Sequence, residues 1–241
     1  MKQASIIALP VILLMSPPLI AADQDAEKGP WSGEISLTYI MNKGNTESET
    51  VGAKLKTTRE SEDWRFHYKL EGTNESKDEI RSQEKYFGSA KADMKLGEKS
   101  YLFGLVEYED DRFSGFDYQS SVTIGYGRTM LENDNHKLFL EGGPGYRRSK
   151  LEESQETEEE GIFRAALNYA WKVSDTTKFT EELSSEWGEE QTISKSKTQL
   201  KTKINSSLSM TLGYDVKYSS EVPEGSEKRD STAYVALDYS F

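Results

Sequence analysis

Cysteine is absent from the 241 residues. That excludes disulfides, thiolate metal ligands, cysteine nucleophiles and lipid attachment to a processed N-terminal cysteine. Long hydrophobic runs are missing too: beyond residue 22 nothing approaches the ~20 apolar residues of a membrane-spanning helix. Basic charge is the minority, with 30 Lys and Arg against 42 Asp and Glu and a net charge of -12. No nucleic-acid partner is expected from such a surface, because phosphate binding needs a basic one. Only two histidines are present. Aromatics are not scarce: 13 Tyr, 9 Phe and 4 Trp make up 11% of the chain, which argues against disorder.

The N-terminus carries its own pattern. Lys2 precedes the apolar run Ile6–Met15, which is followed by Pro17-Pro18 and the small pair Ala21-Ala22. This reads as a secretory signal peptide over residues 1–22. A membrane anchor is the alternative, but the run is too short and Pro10 interrupts it. Residues 23–30 then form a short periplasmic segment, and 31–241 a single domain.

That domain alternates. Trp31, Gly33, Ile35, Leu37 and Tyr39 share one face, and Ser32, Glu34, Ser36 and Thr38 the other. Trp64, Phe66, Tyr68 and Leu70 oppose Arg65, His67, Lys69 and Glu71. Leu208, Met210, Leu212, Tyr214 and Val216 oppose Ser209, Thr211 and Asp215. Successive side chains on a strand point to opposite sides, so each segment is a strand with one apolar and one polar face. About twelve such segments of roughly 10 to 13 residues recur, the length of a tilted membrane-crossing strand rather than a soluble one. The expected spans are 31–42, 48–59, 64–75, 84–96, 100–110, 118–130, 137–149, 161–173, 177–188, 193–204, 207–220 and 230–241.

The connections and the aromatic rings fit the same picture. Short links (60–63, 97–99, 174–176, 205–206) tend to alternate with longer ones (76–83, 111–117, 150–160, 221–229), as in a barrel with tight turns at one rim and loops at the other. Trp31, Trp64, Tyr101, Trp171, Phe179, Tyr239 and Phe241 gather near the short-turn rim, and Tyr39, Tyr86, Tyr108, Tyr118, Tyr146, Phe163, Trp187 and Tyr218 near the other. Two aromatic girdles flanking an aliphatic band are what a bilayer selects. The expected fold is all-β: one antiparallel transmembrane barrel of about twelve strands, with ten or fourteen as alternatives. Both termini would be periplasmic. Three strands read less cleanly. The fifth does not choose a phase over Tyr101–Val106. The tenth has a weak lipid face of Thr198, Leu200, Thr202 and Ile204. On the ninth, Glu181 falls on the lipid side, so either it lies near the periplasmic rim or the register slips.

The signal segment, the opening Trp31-Ser32-Gly33-Glu34-Ile35-Ser36-Leu37 and the Gly44-Asn45-Thr46 turn resemble the salt-induced outer-membrane proteins, a YdiY-like family of undefined function. The closing Tyr234-Val235-Ala236-Leu237-Asp238-Tyr239-Ser240-Phe241 resembles the general last-strand signature of outer-membrane barrels. The resemblance implies a Gram-negative outer membrane, with its lipid and lipopolysaccharide as surroundings. It also implies insertion by the barrel-assembly machinery. It brings no substrate, cofactor or catalytic residue.

Chemistry-bearing motifs are few. His67 points into the lumen beside Arg65 and Lys69, and His136 sits in a short turn; no spacing singles out a serine beside either. Gly142-Gly143-Pro144-Gly145 lacks the Lys-Ser/Thr of a phosphate loop and opens no helix. Glu152–Glu160 has hard oxygen ligands but not the spacing of a calcium loop, and reads as a solvated outer loop. No enzyme, metal or cofactor is expected. The lumen face is richer: Arg65, Lys69, Glu71, Lys91, Asp93, Arg164, Glu182, Glu186, Lys195, Lys197, Lys201 and Lys203 are its candidate lining, and base exceeds acid as read. Lys195, Lys197, Lys201 and Lys203 form a ladder for which Glu182 and Glu186 are the nearest acids, so part of it is expected to be wet and to favour anions. Three functions follow: a narrow channel for ions or small polar solutes, a closed barrel with a structural or salt-stress role in the envelope, and, last, a membrane-embedded hydrolase.

Overall fold

The computed structural model describes residues 30–42, 48–77, 80–112, 114–223 and 225–241. The expected signal segment and the Gly44-Asn45-Thr46 turn lie outside the described residues. Twelve strands follow one another: β1 (Trp31–Asn42), β2 (Ser48–Glu60), β3 (Trp64–Lys77), β4 (Ile80–Lys95), β5 (Ser100–Asp111), β6 (Phe116–Glu132), β7 (His136–Leu151), β8 (Thr157–Lys172), β9 (Thr177–Gly188), β10 (Thr192–Lys203), β11 (Leu208–Ser219) and β12 (Arg229–Ser240). Each pairs antiparallel with its chain neighbours, and β12 returns to β1 to close the barrel.

The wall inverts the usual distribution of polarity. Leu37, Leu70, Val106, Ile124, Leu212 and Leu237 are exposed on the outside, while Asp93, Thr123, Arg147 and Asp238 are the largest fully buried side chains. A closed barrel with an apolar exterior is solvated by hydrocarbon, and closure pairs along the seam the backbone edges that lipid cannot satisfy. Rings crowd both rims of the band. Trp64 stacks on Phe66, Trp31 on Tyr68 and Tyr239 on Phe241 near one end; Tyr108 stacks on Tyr118 and Phe163 on Trp187 near the other.

Tyr101 is a correction to the expected girdle. It is 7% exposed and points inward, and the inward phase of β5 continues through Phe103 and Leu105 to Glu109. The reason lies on β6. A Cβ on Gly127 would come within 2.3 Å of the Tyr101 ring, and one on Gly125 within 2.8 Å of the Phe103 ring. These two glycines leave the space that the rings fill.

The longer links also shorten. Instead of a loop over 76–83, β3 runs to Lys77 and β4 begins at Ile80. Instead of a loop over 150–160, β8 starts at Thr157 and carries Glu158–Glu160 as strand. Arg147 engages Glu160 at 2.6 Å and Arg148 engages Glu159 at 3.5 Å across the hairpin, so part of the acidic run is neutralised by β7. Continued pairing also satisfies backbone groups that a loop would leave to water.

The closing seam is short. β1 pairs with β2 over all of Trp31–Asn42 but with β12 only from Glu34↔Ser240 to Thr38↔Ala236. Gly33 and Phe241 extend it by reciprocal backbone bonds of 2.9 and 3.0 Å. Among the described residues, β1 beyond Thr38 has no ladder partner on β12.

Candidate functional site: the charged lumen

The inward faces of the strands bring ionisable groups together from opposite walls. In the half toward the longer links, Glu71 of β3 holds three ammonium groups: Lys69 at 2.7 Å, Lys54 at 3.2 Å and Lys197 at 3.3 Å. Glu109 of β5 holds another three: Lys217 at 2.5 Å, Lys195 at 3.0 Å and Lys85 at 3.1 Å. Between them lies the Phe87 ring, with the ammonium groups of Lys69, Lys195 and Lys197 at 5.2, 5.3 and 5.9 Å from its centroid. These groups line a cavity of about 530 Å³, together with Glu107, Arg164, Asp215 and Tyr234.

Lower in the lumen, Lys91 bridges Glu141 and Asp93, the latter at 3.0 Å, and the Tyr101 hydroxyl donates to Glu141 at 2.7 Å. Lys201 joins Glu34 and lies 3.2 Å from Asp238. Arg164 is surrounded by Glu186, Glu141 and Glu107 at 3.7, 3.8 and 4.0 Å. Its Nε and Nη1 are buried and make no hydrogen bond among the described residues. Many of these pairs join strands that are not neighbours in the wall, so side chains meet across the interior.

The lysine ladder is therefore placed differently from its expected environment. Lys195, Lys197 and Lys201 pair with acids of β5, β3, β11, β1 and β12, not with β9. Glu182 instead meets Lys56 at 3.5 Å, and Glu186 meets Arg147 at 3.3 Å as well as Arg164. Lys203 is exposed at the end of β10. Arg65 reaches Glu60 at 3.0 Å near the turn to β3. Asp111, Glu160 and Asp230, not counted as lumen acids in the sequence, face inward and offset the expected excess of base: Asp111 lies 3.3 Å from Lys85, Glu160 binds Arg147, and Asp230 lines the cavity. Sequence reasoning also missed Phe87, although it shares the parity of Lys85 and Lys91.

His67 has partners that its sequence neighbourhood did not reveal: the Thr58 hydroxyl at 3.2 Å on Nδ1 and Asp93 at 3.2 Å on Nε2. The order hydroxyl, imidazole, carboxylate is that of a hydrolytic triad. An oxyanion site would need free backbone N–H groups aimed at one point; here the flanking amides are engaged in the ladders of β2, β3 and β4. His136 lies at the other polarity of the wall, stacked with Tyr169 and Trp171 and within 2.8 Å of the Tyr169 hydroxyl.

On the outer wall, Glu181 does face the lipid side, and the register does not slip. β10 pairs Thr198 with Glu181, and the hydroxyls of Thr198 and Ser196 donate to its carboxylate at 2.7 and 2.8 Å. Those two donors explain both how the charge is held and why β10 has a weak apolar face.

Residues 35–241 match the family described as "Protein of unknown function, DUF481". The chain is 32% identical over 225 residues to the uncharacterized protein YdiY of Escherichia coli (strain K12), covering 90% of this chain and 86% of that protein. In structure it is similar to the COG4313 outer membrane channel from Pseudomonas putida F1, with a TM-score of 0.55, 12% identity and coverage of 91% of this chain and 99% of that one. It is also similar to the translocator domain of the autotransporter NalP from Neisseria meningitidis, with a TM-score of 0.50, 14% identity and 90% of each chain covered. At these identities the likeness is one of fold, that of the outer-membrane β-barrel. By sequence, the chain belongs to the DUF481 family of YdiY-like proteins.

Proposed function

We propose that the protein is a narrow outer-membrane channel for ions and small polar solutes, with little preference for either sign of charge. The observation that carries this reading is the state of the cross-lumen pair Lys56–Glu182. Its side chains are 33% and 40% exposed although they meet inside the closed wall. Solvent that reaches them from within the barrel is a polar path, and the ion pairs that span it set a small bore. The near balance of inward acid and base supports weak selectivity rather than the anion preference expected from the lysine ladder alone. In this reading the short-turn rim and both termini face the periplasm, and the assembly machinery recognises the last strand during insertion.

Purified protein in planar bilayers is expected to give small, resolved single-channel steps, with a reversal potential near zero in a salt gradient. Absence of conductance would overturn the channel. The closed structural barrel would then take its place, a reading favoured by the Tyr101, Phe103 and Leu105 side chains that fill one wall of the interior. Hydrolysis of phospholipid vesicles is not expected; fatty-acid release that depends on His67 would reverse that view.

A further inference from the structure

Two carboxylates in the lumen are held in the manner of bound ligands. Glu71 accepts from three lysines of β2, β3 and β10, and Glu109 from three lysines of β4, β10 and β11. One carboxylate neutralises one ammonium. Each cluster has a second acid at its margin: Asp215 lies 3.9 Å from Lys197, and Asp111 lies 3.3 Å from Lys85. Glu182 is matched by Lys56, so at the Glu71 cluster three ammonium groups face two carboxylates and positive charge remains, whereas at the Glu109 cluster Asp230, on the same cavity wall, is a third acid and cancels it. We infer that Glu71 occupies, from within the chain, a three-lysine site for an oxyanion, and that a small polyvalent oxyanion entering the lumen takes this site by displacing it.

The chemistry selects the ligand class. Lysine is a compact point charge with three donors on a flexible stem, able to follow one oxygen to another. A phosphate or sulfate group presents several strong acceptors to three converging donors, where a carboxylate presents two oxygens. A monovalent anion would only replace the charge of the glutamate it displaces. A polyvalent one adds the charge that the Glu71 cluster lacks. The site opens on the Phe87 ring, over which Lys69 and Lys197 lie. The competing explanation is that the lysines merely brace a structural glutamate.

This inference rests on the reading of a solvent-filled lumen, but its test uses binding and not conductance, so a barrel that passes no current can still pass or fail it. The probe is inorganic tripolyphosphate at low ionic strength. The readout is the heat-unfolding midpoint of the purified barrel, followed by its gel mobility. A tethered carboxylate competes at a high effective concentration. Its neutralisation in Glu71→Gln should therefore lower the half-saturating tripolyphosphate concentration by about tenfold. Adding Lys197→Ala to Glu71→Gln should abolish that gain. The control is Glu152→Gln with Glu153→Gln, which removes negative charge from an exposed turn. An equal gain in the control, an equal response to chloride at matched ionic strength, or no response in any folded variant overturns the proposal. If Glu71→Gln does not fold, the wild type decides: a tripolyphosphate shift lost in Lys197→Ala supports the site, and a shift that is absent or survives it refutes it.

Discussion

A methyl group added at Gly127 tests the inward phase of β5 directly. The Cβ of Gly127→Ala would sit 2.3 Å from Cε2 and Cζ of Tyr101 and 2.7 Å from its hydroxyl oxygen. Non-bonded carbons rest at about 3.5–4.0 Å, so the ring would have to retreat by about 1 Å or more. It has little freedom to do so. Its hydroxyl is anchored on Glu141 at 2.7 Å, and the Lys91 ammonium lies 5.1 Å from its centroid. Overpacking of this kind costs about 1–3 kcal/mol. Removing the ring in Tyr101→Ala should itself cost about 3–5 kcal/mol by leaving a void. In that background the same glycine substitution should cost less than about 0.5 kcal/mol, because the two sites no longer touch. Urea unfolding of the protein refolded into lipid vesicles, followed by tryptophan fluorescence, measures all four corners of the cycle. Equal cost of Gly127→Ala with and without the Tyr101 ring would refute the packing and return Tyr101 to the lipid-facing girdle.

Three further outcomes are expected. In this cysteine-free chain, the pair Thr38→Cys/Ala236→Cys should form a disulfide across the seam, because these positions are in register. The pair Ile40→Cys/Tyr234→Cys, which a continued register would align, should not; equal yields by non-reducing gel would mean that the seam closes fully. Glu181→Leu should stabilise the barrel by about 1 kcal/mol in vesicle unfolding, since a carboxylate in the apolar band is unfavourable; a loss of stability would mean that the two hydroxyl bonds outweigh its desolvation. Deleting Phe241 removes both backbone bonds to Gly33. Lower outer-membrane yield and loss of heat-modifiable mobility are expected, and unchanged yield would show that the seam tolerates the shorter strand.

The sequence by itself determined the strands, because membrane solvation imposes the same rule at every step: alternate residues must suit hydrocarbon or the interior. Leu37, Leu70 and Leu212 therefore announced their face without any knowledge of their neighbours. The pairing order followed from antiparallel hairpins closing on themselves. Where local pattern was ambiguous, long-range geometry decided. Tyr101-Leu102-Phe103 contains apolar residues at every position, and only the inward glycines of β6, distant in sequence, fix which ones turn in. Glu181 is out of place by pattern alone, and Ser196 and Thr198 of the next strand hold it. The charge partners were the least legible, for a geometric reason. Strand pairing brings neighbours together in a predictable register, but long side chains reach over the lumen to strands on the far wall. Lys197 thus finds Glu71 of β3, and Lys195 finds Glu109 of β5, through a barrel diameter and strand tilt that exist only once the sheet has closed.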